Sequence, residues 1–497
     1  MQLICKRKPI TLLQMCRGLL FLSMFILAGF ALKEYQGQSY VYILFSFASY
    51  LLIYFGFRKN ALFFDSFIGV FLWLGFWLKA TVRIIFFDGV PLAPHAVEFK
   101  STGTEYDQVL LISTCAFSGI FIASWLRQKY LFIYPDKVDE VCQPGLYNIY
   151  IKYRKLVLFL FVLIFVSVAA INLLLGIYQR GEISQTTLPY GLNGVLKWLL
   201  LFGLASFSAI LLKFEYLVAK KTTFLVAFIT LLESFFSSIS LLSRGMILNL
   251  SSLGYGAVRE LKLFKIKLKV RFFLGCFLGF IFLFGSSVLT VNYIILLSVE
   301  SKISESPGME SNTSELPGEK LTKQSNNLTY KVLQRSKVLF IERWVGLEGV
   351  MSVSSYPNKG WDLWREAWQE KYSENITSFY DIKLINSHYQ YVKNHHYINT
   401  PGIIGFLFYP GSYSFLFVCM VLISLGASCL EIFIYKFGGK NIILCSLLAQ
   451  VIAYRLASFG YVPAQSYLLF GTIFLNILII YIMEKILYMR PKPRKIV

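Results

Sequence analysis

The chain has 497 residues, of which 56% are hydrophobic and 15% charged, with a formal net charge of +21. A soluble domain carries about a quarter charged residues, so a soluble enzyme with a single anchor is excluded and lipid is the main solvent. The basic residues stand in short clusters between apolar stretches and form no stripe along one folded face, which argues against nucleic acid as a partner.

A bilayer core of about 30 Å takes about 20 apolar residues per helix. Such stretches fall at 13–32, 39–57, 61–82, 108–126, 156–176, 194–213, 222–241, 245–258, 272–296, 411–434, 441–457 and 466–486. They predict an all-α polytopic membrane protein of about 12 transmembrane helices. The chain divides into an N-terminal bundle of about nine helices (1–296), a large hydrophilic loop (297–400) and a C-terminal part (401–497) with a short broken helix and about three spans.

Lys6, Arg7 and Lys8 precede the first stretch, and short positively charged segments stay in the cytoplasm. Residues 18–32 have the length of a signal-peptide core, but the spans that follow at once make them an uncleaved signal anchor. With the N-terminus inside, every second connection is cytoplasmic, and those connections hold Arg58/Lys59, 127–155, 213–221, RELKLFKIKLKVR (259–271), Lys436/Lys440 and the tail 485–495. Both termini are then cytoplasmic, in a bacterial inner membrane, with loop 297–400 on the outer face. The run 259–271 also suits anchorage to acidic lipid heads. The eight cysteines fall in spans or on the cytoplasmic side and form no disulfide framework or metal site.

Within the loop, Ser304 to Tyr330 is rich in Ser, Asn, Pro, Gly and Glu and reads as a tether. The spacing at 331–353 and 361–373 predicts two amphipathic helices on the outer membrane surface, the second with Trp361, Trp364 and Trp368 on one stripe. These tryptophans serve either as interfacial anchors or as platforms for sugar rings.

Five arginines belong to the outer side: Arg83, Arg180 in YQRGEI, Arg244 in LLSRGMIL, Arg343 in ERWVGLEG and Arg455 in AYRLASFG. A guanidinium binds phosphate oxygens two-pronged and stays charged. Converging from separate loops, these would form a diphosphate clamp; singly, each would snorkel to lipid headgroups. Arg180 and Arg244 abut glycines that allow a ligand close approach. Thr400 as N-cap and Pro401 at the first position predict a short helix that breaks at Pro410-Gly411. Its N-terminus, at Thr400, Gly402 and Gly405, either attracts an anion or packs against a neighbouring helix. His388, His395 and His396 precede it, and histidine is suited to take a proton from a sugar hydroxyl near neutral pH; no spacing supports a metal site there.

In architecture and in the elements LGFWLKATVR (74–83), YQRG (178–181), SRGMIL (243–248), RWVGLEG (343–349) and TPGIIG (400–405), the chain resembles the bacterial oligosaccharide repeat-unit polymerases, the O-antigen polymerases of the Wzy type. The resemblance implies a GT-C-like fold of the O-antigen ligase and polymerase type. It also implies glycan transfer at the periplasmic face, from undecaprenyl diphosphate onto a newly flipped lipid-linked repeat unit, in surface polysaccharide synthesis. Such a transferase needs no metal, nucleotide sugar or other cofactor, and a chain-length regulator is an implied partner. On this reading Arg180, Arg244 and Arg343, joined by Arg455 and Arg83, hold the diphosphate, and His395 or His396 is the base. An O-antigen ligase shares the layout and differs in acceptor. A lipid-linked oligosaccharide flippase needs no large structured loop. A polyprenyl-phosphate-sugar transferase would show an acidic pair in the first outer loop, which here reads KEYQGQ (33–38).

Overall fold

The computed structural model describes residues 12–87, 98–135, 143–243, 246–266, 269–304, 344–372, 377–385 and 398–489. Among these, every regular element is helical. In chain order come α1 (Leu12–Glu34), α2 (Ser39–Gly56), α3 (Phe63–Phe86), α4 (Gly103–Tyr130), α5 (Pro144–Leu175), α6 (Pro189–Ala219), α7 (Phe224–Ser240), α8 (Met246–Leu263) and α9 (Val270–Ser304). The segment that follows contributes α10 (Leu347–Ser355), α11 (Trp361–Trp368), α12 (Phe379–Lys383) and α13 (Gly402–Leu407), before α14 (Tyr413–Phe437), α15 (Ile442–Ala457) and α16 (Ser466–Met489). Eight helices, α2 to α6, α9, α14 and α16, are long and apolar enough to cross a bilayer; α7 and α15 are apolar but shorter. This is the build of a multi-pass membrane protein.

One end of the bundle is laced by charged side chains that cap neighbouring helices. The first N–H groups of a helix lack intrahelical acceptors, and here carboxylates from other helices supply them. Glu431 on α14 accepts from Phe63 and Phe64 at 2.9 and 2.8 Å and from the Tyr134 hydroxyl at 2.7 Å. Glu484 on α16 accepts from Gly145 and Leu146 at the start of α5, and Glu260 on α8 from Ile442 at the start of α15. Asp65 receives Arg127 at 2.6 Å and Arg58 at 3.5 Å. All these groups lie at or beside helix ends that the sequence assigns to a single side.

Two spans contain a widened π turn, Trp73–Leu78 in α3 and Leu199–Gly203 in α6, a local form often met at functional positions. In α3 it brings Gly75 against the backbone of Val345, where a Cβ would meet the carbonyl oxygen at 2.4 Å. The segment between α9 and α14, expected on the outer face and named the outer segment for that, is thus threaded into the bundle. The helix expected over 331–353 is realised, within the described residues, as α10, and it is buried from Leu347 to Ser354. It does not lie on the membrane surface, because it carries Glu348 to buried cations on α3.

Candidate functional site

Lys79 and Arg83, one helical turn apart on α3, present one face toward α10. The Lys79 ammonium donates to the Trp344 carbonyl at 2.7 Å and to Glu348 Oε2 at 2.9 Å; the Arg83 guanidinium donates to Glu348 Oε1 and approaches the Met351 sulfur. Arg83 is fully buried and Lys79 nearly so. Burial pushes the Glu348 carboxyl up, but Arg83 and Lys79 outweigh it and hold the group down at about 2. In this arrangement Arg83 seats the outer segment on α3, and the face expected to meet a diphosphate meets Glu348.

From α10 the contacts run to the TPGIIG turn. A Cβ on Gly349 would stand 1.9 Å from the Pro401 carbonyl oxygen, and one on Gly405 would stand 3.1 Å from the Gly349 carbonyl oxygen. These glycines let α10 and α13 touch backbone to backbone. The start of α13 differs from expectation: Pro401 is the N-cap, no side chain caps the helix, and Gly402 adopts a φ of +71°. That left-handed residue delays the helix by one position and leaves Thr400 outside it. Between the two readings of Gly402 and Gly405, anion site or close packing, the geometry is that of packing, since every residue of α13 is buried. The chain does turn at Pro410-Gly411, Gly411 having a φ of +75°.

The turn after α15, residues 458–462, is where α11, the TPGIIG turn and α15 meet. Ala457 offers its carbonyl oxygen 3.0 Å from where a Gly402 Cβ would sit, and Gly460, with a φ of +123°, lies against the Pro401 ring. Phe459 packs on Phe406 and Trp368, with centroids 5.0 and 6.3 Å away. The Tyr461 carbonyl accepts from Arg455 at 3.4 Å, and the next amide, Val462 N–H, donates to Glu370 Oε2 at 2.8 Å. Val462 has a φ of +42°, a true outlier for a β-branched residue. Glu370 also accepts from Phe379 N–H at 2.7 Å. Burial raises the Glu370 carboxyl above its ordinary value, and Asp381 adds to this against the pull of the two amides. Asp381, buried on α12, takes Ser378 Oγ and both the backbone and side-chain amides of Asn399, which fixes the approach to the turn.

Arg455 ends α15 half-buried, with two polar contacts, Tyr461 O and Ser466 Oγ, each at 3.4 Å and each neutral; no carboxylate lies within 4 Å of its guanidinium among the described residues. It is an electrostatic neighbour of Tyr178, over whose ring the Lys197 ammonium sits at 4.2 Å. Arg180, two residues on, is exposed, and its N–H donates to the Leu241 carbonyl at 2.9 Å. That bond joins the α5–α6 connection to the α7–α8 turn, three residues before Arg244. Arg455 is thus the arginine beside Tyr178, with Arg180 two residues further along the same connection, whereas Arg83 belongs to the Glu348 cluster. Arg244, Arg343, His388, His395 and His396 lie outside the described residues.

The tryptophan stripe packs edge-on against phenylalanines of α13 and α14, while Leu363 and Ala367 are the buried residues of α11. Trp361 and Trp364 lie edge-on to Phe415 at 4.8 and 5.5 Å, and Trp368 to Phe406 at 5.5 Å. Trp361 stays 49% exposed, which leaves it one face for a ligand or lipid. Sequence reasoning missed Lys79, Glu348, Glu370 and Lys197. The first two had a signal, a Lys and an Arg one turn apart in a span, which calls for an acid elsewhere. Glu370 had none, because its role comes from the strained turn at Val462.

No protein-family model, curated protein or solved structure matches the chain.

Proposed function

We propose that this protein is a GT-C-like glycosyltransferase of the bacterial inner membrane, with about 12 spans and both termini cytoplasmic. It polymerises undecaprenyl-diphosphate-linked oligosaccharide repeat units at the periplasmic face during surface polysaccharide synthesis. The observation that supports this best is Arg455, an arginine at the end of a span without an acidic partner among the described residues, at the meeting point of the TPGIIG turn, the outer segment and the α5–α6 connection. Charge develops on the leaving diphosphate as the anomeric carbon–oxygen bond breaks, and a fixed guanidinium stabilises it without reorganising. Lys197 over the Tyr178 ring, with Arg180 two residues along the same connection, would extend the cationic surface along which the diphosphate lies. Trp361 and the Tyr372–Tyr461 pair, centroids 6.4 Å apart, supply ring faces suited to sugars.

The test is complementation. The gene is deleted in its host, wild-type, Arg455→Ala and Arg180→Ala forms are restored at equal membrane abundance, and the surface glycan is run on a gel. A deletion that leaves a core with a single repeat unit, and alanine variants that fail to restore the ladder, support the polymerase. Bare core with polymer accumulating on the lipid carrier would make the protein a ligase, and bare core with unpolymerised units held in the cytoplasmic leaflet would make it a flippase.

A further inference from the structure

We infer that Glu370 is the base that accepts the proton of the attacking sugar hydroxyl, paired across the Tyr461–Val462 peptide with Arg455 at the leaving diphosphate. This rests on the glycan-transfer reading above. One peptide group carries both contacts: its oxygen accepts from Arg455 and its N–H donates to Glu370. The two hydrogen bonds and the peptide between them bound the separation of guanidinium and carboxylate at about 9 Å. A sugar bound alongside that peptide would turn its acceptor oxygen toward the carboxylate and its diphosphate oxygen toward the guanidinium.

The peptide is held in a strained conformation, Val462 at a φ of +42°. Strain of this kind costs roughly 1–3 kcal/mol and persists where surrounding structure enforces it, typically at sites of function. Here the enforcing groups are Gly460 against the Pro401 ring, Phe459 against Trp368 and Phe406, and Glu370 itself. Of the two outer acids in this region, Asp381 is wholly buried and committed to Ser378 and Asn399. Glu370 is half-buried; each of its oxygens receives one backbone N–H and keeps a lone pair. The titratable and charged groups around it are Asp381 and Tyr380 on α12, Tyr409 after α13, Tyr461 and Arg455 from the α15 side, and Lys371 and Tyr372 on its own segment. A carboxylate raised above its ordinary value is a stronger base than a free one.

In the step, the acceptor hydroxyl oxygen bonds to the donor anomeric carbon and its proton passes to Glu370. The bond from that carbon to the diphosphate oxygen breaks, and its electron pair leaves with the lipid diphosphate beside Arg455. No oxidant, metal or further reactant enters the balance.

The experiment uses membranes from the deletion host that contain lipid-linked repeat units. Full-length wild type, Glu370→Gln and Glu370→Asp are supplied at matched abundance and thermal stability, and polymer formation is followed against pH. The wild-type rate rises with pH along a limb set by Glu370; Glu370→Gln falls by about 100-fold or more and loses that limb, and Glu370→Asp restores part of the rate with the limb displaced. A Gln variant within about threefold of wild type and retaining the limb overturns the assignment of the base. If the Gln variant does not accumulate, Glu370→Asp decides: an undisplaced limb overturns the proposal. Absence of any polymer-forming difference between wild type and the deletion host brings down the glycan-transfer reading itself, an outcome distinct from failure of the base alone.

Discussion

Replacing Glu348 by alanine leaves Lys79 and Arg83 facing one another in a buried site, and the cost follows from the geometry. Both cations lose the carboxylate they share, each being nearly or fully buried. Removing one member of a buried ion pair costs roughly 3–5 kcal/mol. The depression of the Glu348 carboxyl from its ordinary 4.5 to about 2 gives an independent figure of about 3 kcal/mol. Because the folded value lies below the unfolded one, this stabilisation is complete above pH 4.5 and is lost as pH falls toward 2. The assay is thermal unfolding of the detergent-solubilised protein with limited proteolysis of the outer segment. Glu348→Ala melts earlier, exposes cleavage sites around 344–355, and lacks the part of the acid-induced loss that wild type shows between pH 4.5 and 2. The triple variant Lys79→Met, Arg83→Met, Glu348→Met recovers most of the loss, since an apolar replacement of a whole buried ion cluster is often neutral. A Glu348→Ala protein with wild-type melting and wild-type protease protection would refute the idea that this cluster seats the outer segment.

Gly349→Ala brings a Cβ to 1.9 Å from the Pro401 carbonyl, so α10 and α13 must separate; the expected loss is about 1–3 kcal/mol, read as lower membrane abundance and an earlier melt. Trp368→Ala removes the edge contacts to Phe406 and Phe459 and costs about 3–5 kcal/mol, visible as protease sensitivity of the outer segment and, on the proposed function, as reduced polymer. Glu431→Ala uncaps Phe63 and Phe64 and strips the Tyr134 hydroxyl of its acceptor. About 2 kcal/mol or more is lost, and hydrogen exchange in mass spectrometry shows faster exchange at the start of α3.

The apolar stretches were legible because lipid imposes a single rule, about 20 apolar residues per crossing, and each predicted stretch is helical among the described residues. Their ends were less so. The helix α5 begins at Pro144, twelve residues before the apolar run expected from 156, because Glu484 caps a polar turn that hydropathy alone reads as loop. The outer segment was the hardest part. Its pattern at 331–353 looked like a surface helix, since nothing local reveals that Glu348 will meet two cations some 265 residues earlier in the chain. Arg180 and Arg455 stood out as arginines beside apolar runs, but pattern gave no means to separate Arg455, which has no carboxylate within 4 Å among the described residues, from Arg83, which has one. The partnership of Glu370 with the Val462 amide depends on a left-handed backbone at a β-branched residue, which propensity argues against.

The capping carboxylates at one end of the bundle bear on the order in which the protein is made. Helix α5 leaves the ribosome 339 residues ahead of the Glu484 that completes its first turn, and α3 waits 368 residues for Glu431. Until then the early helices have unsatisfied amides at their entry points and must borrow water or lipid headgroups to hold them. The first half of the chain is therefore inserted in a provisional form, open to rearrangement, and the arrival of α14 and α16 fastens it. The caps of the early helices are thus completed only when the last helices of the chain are in place.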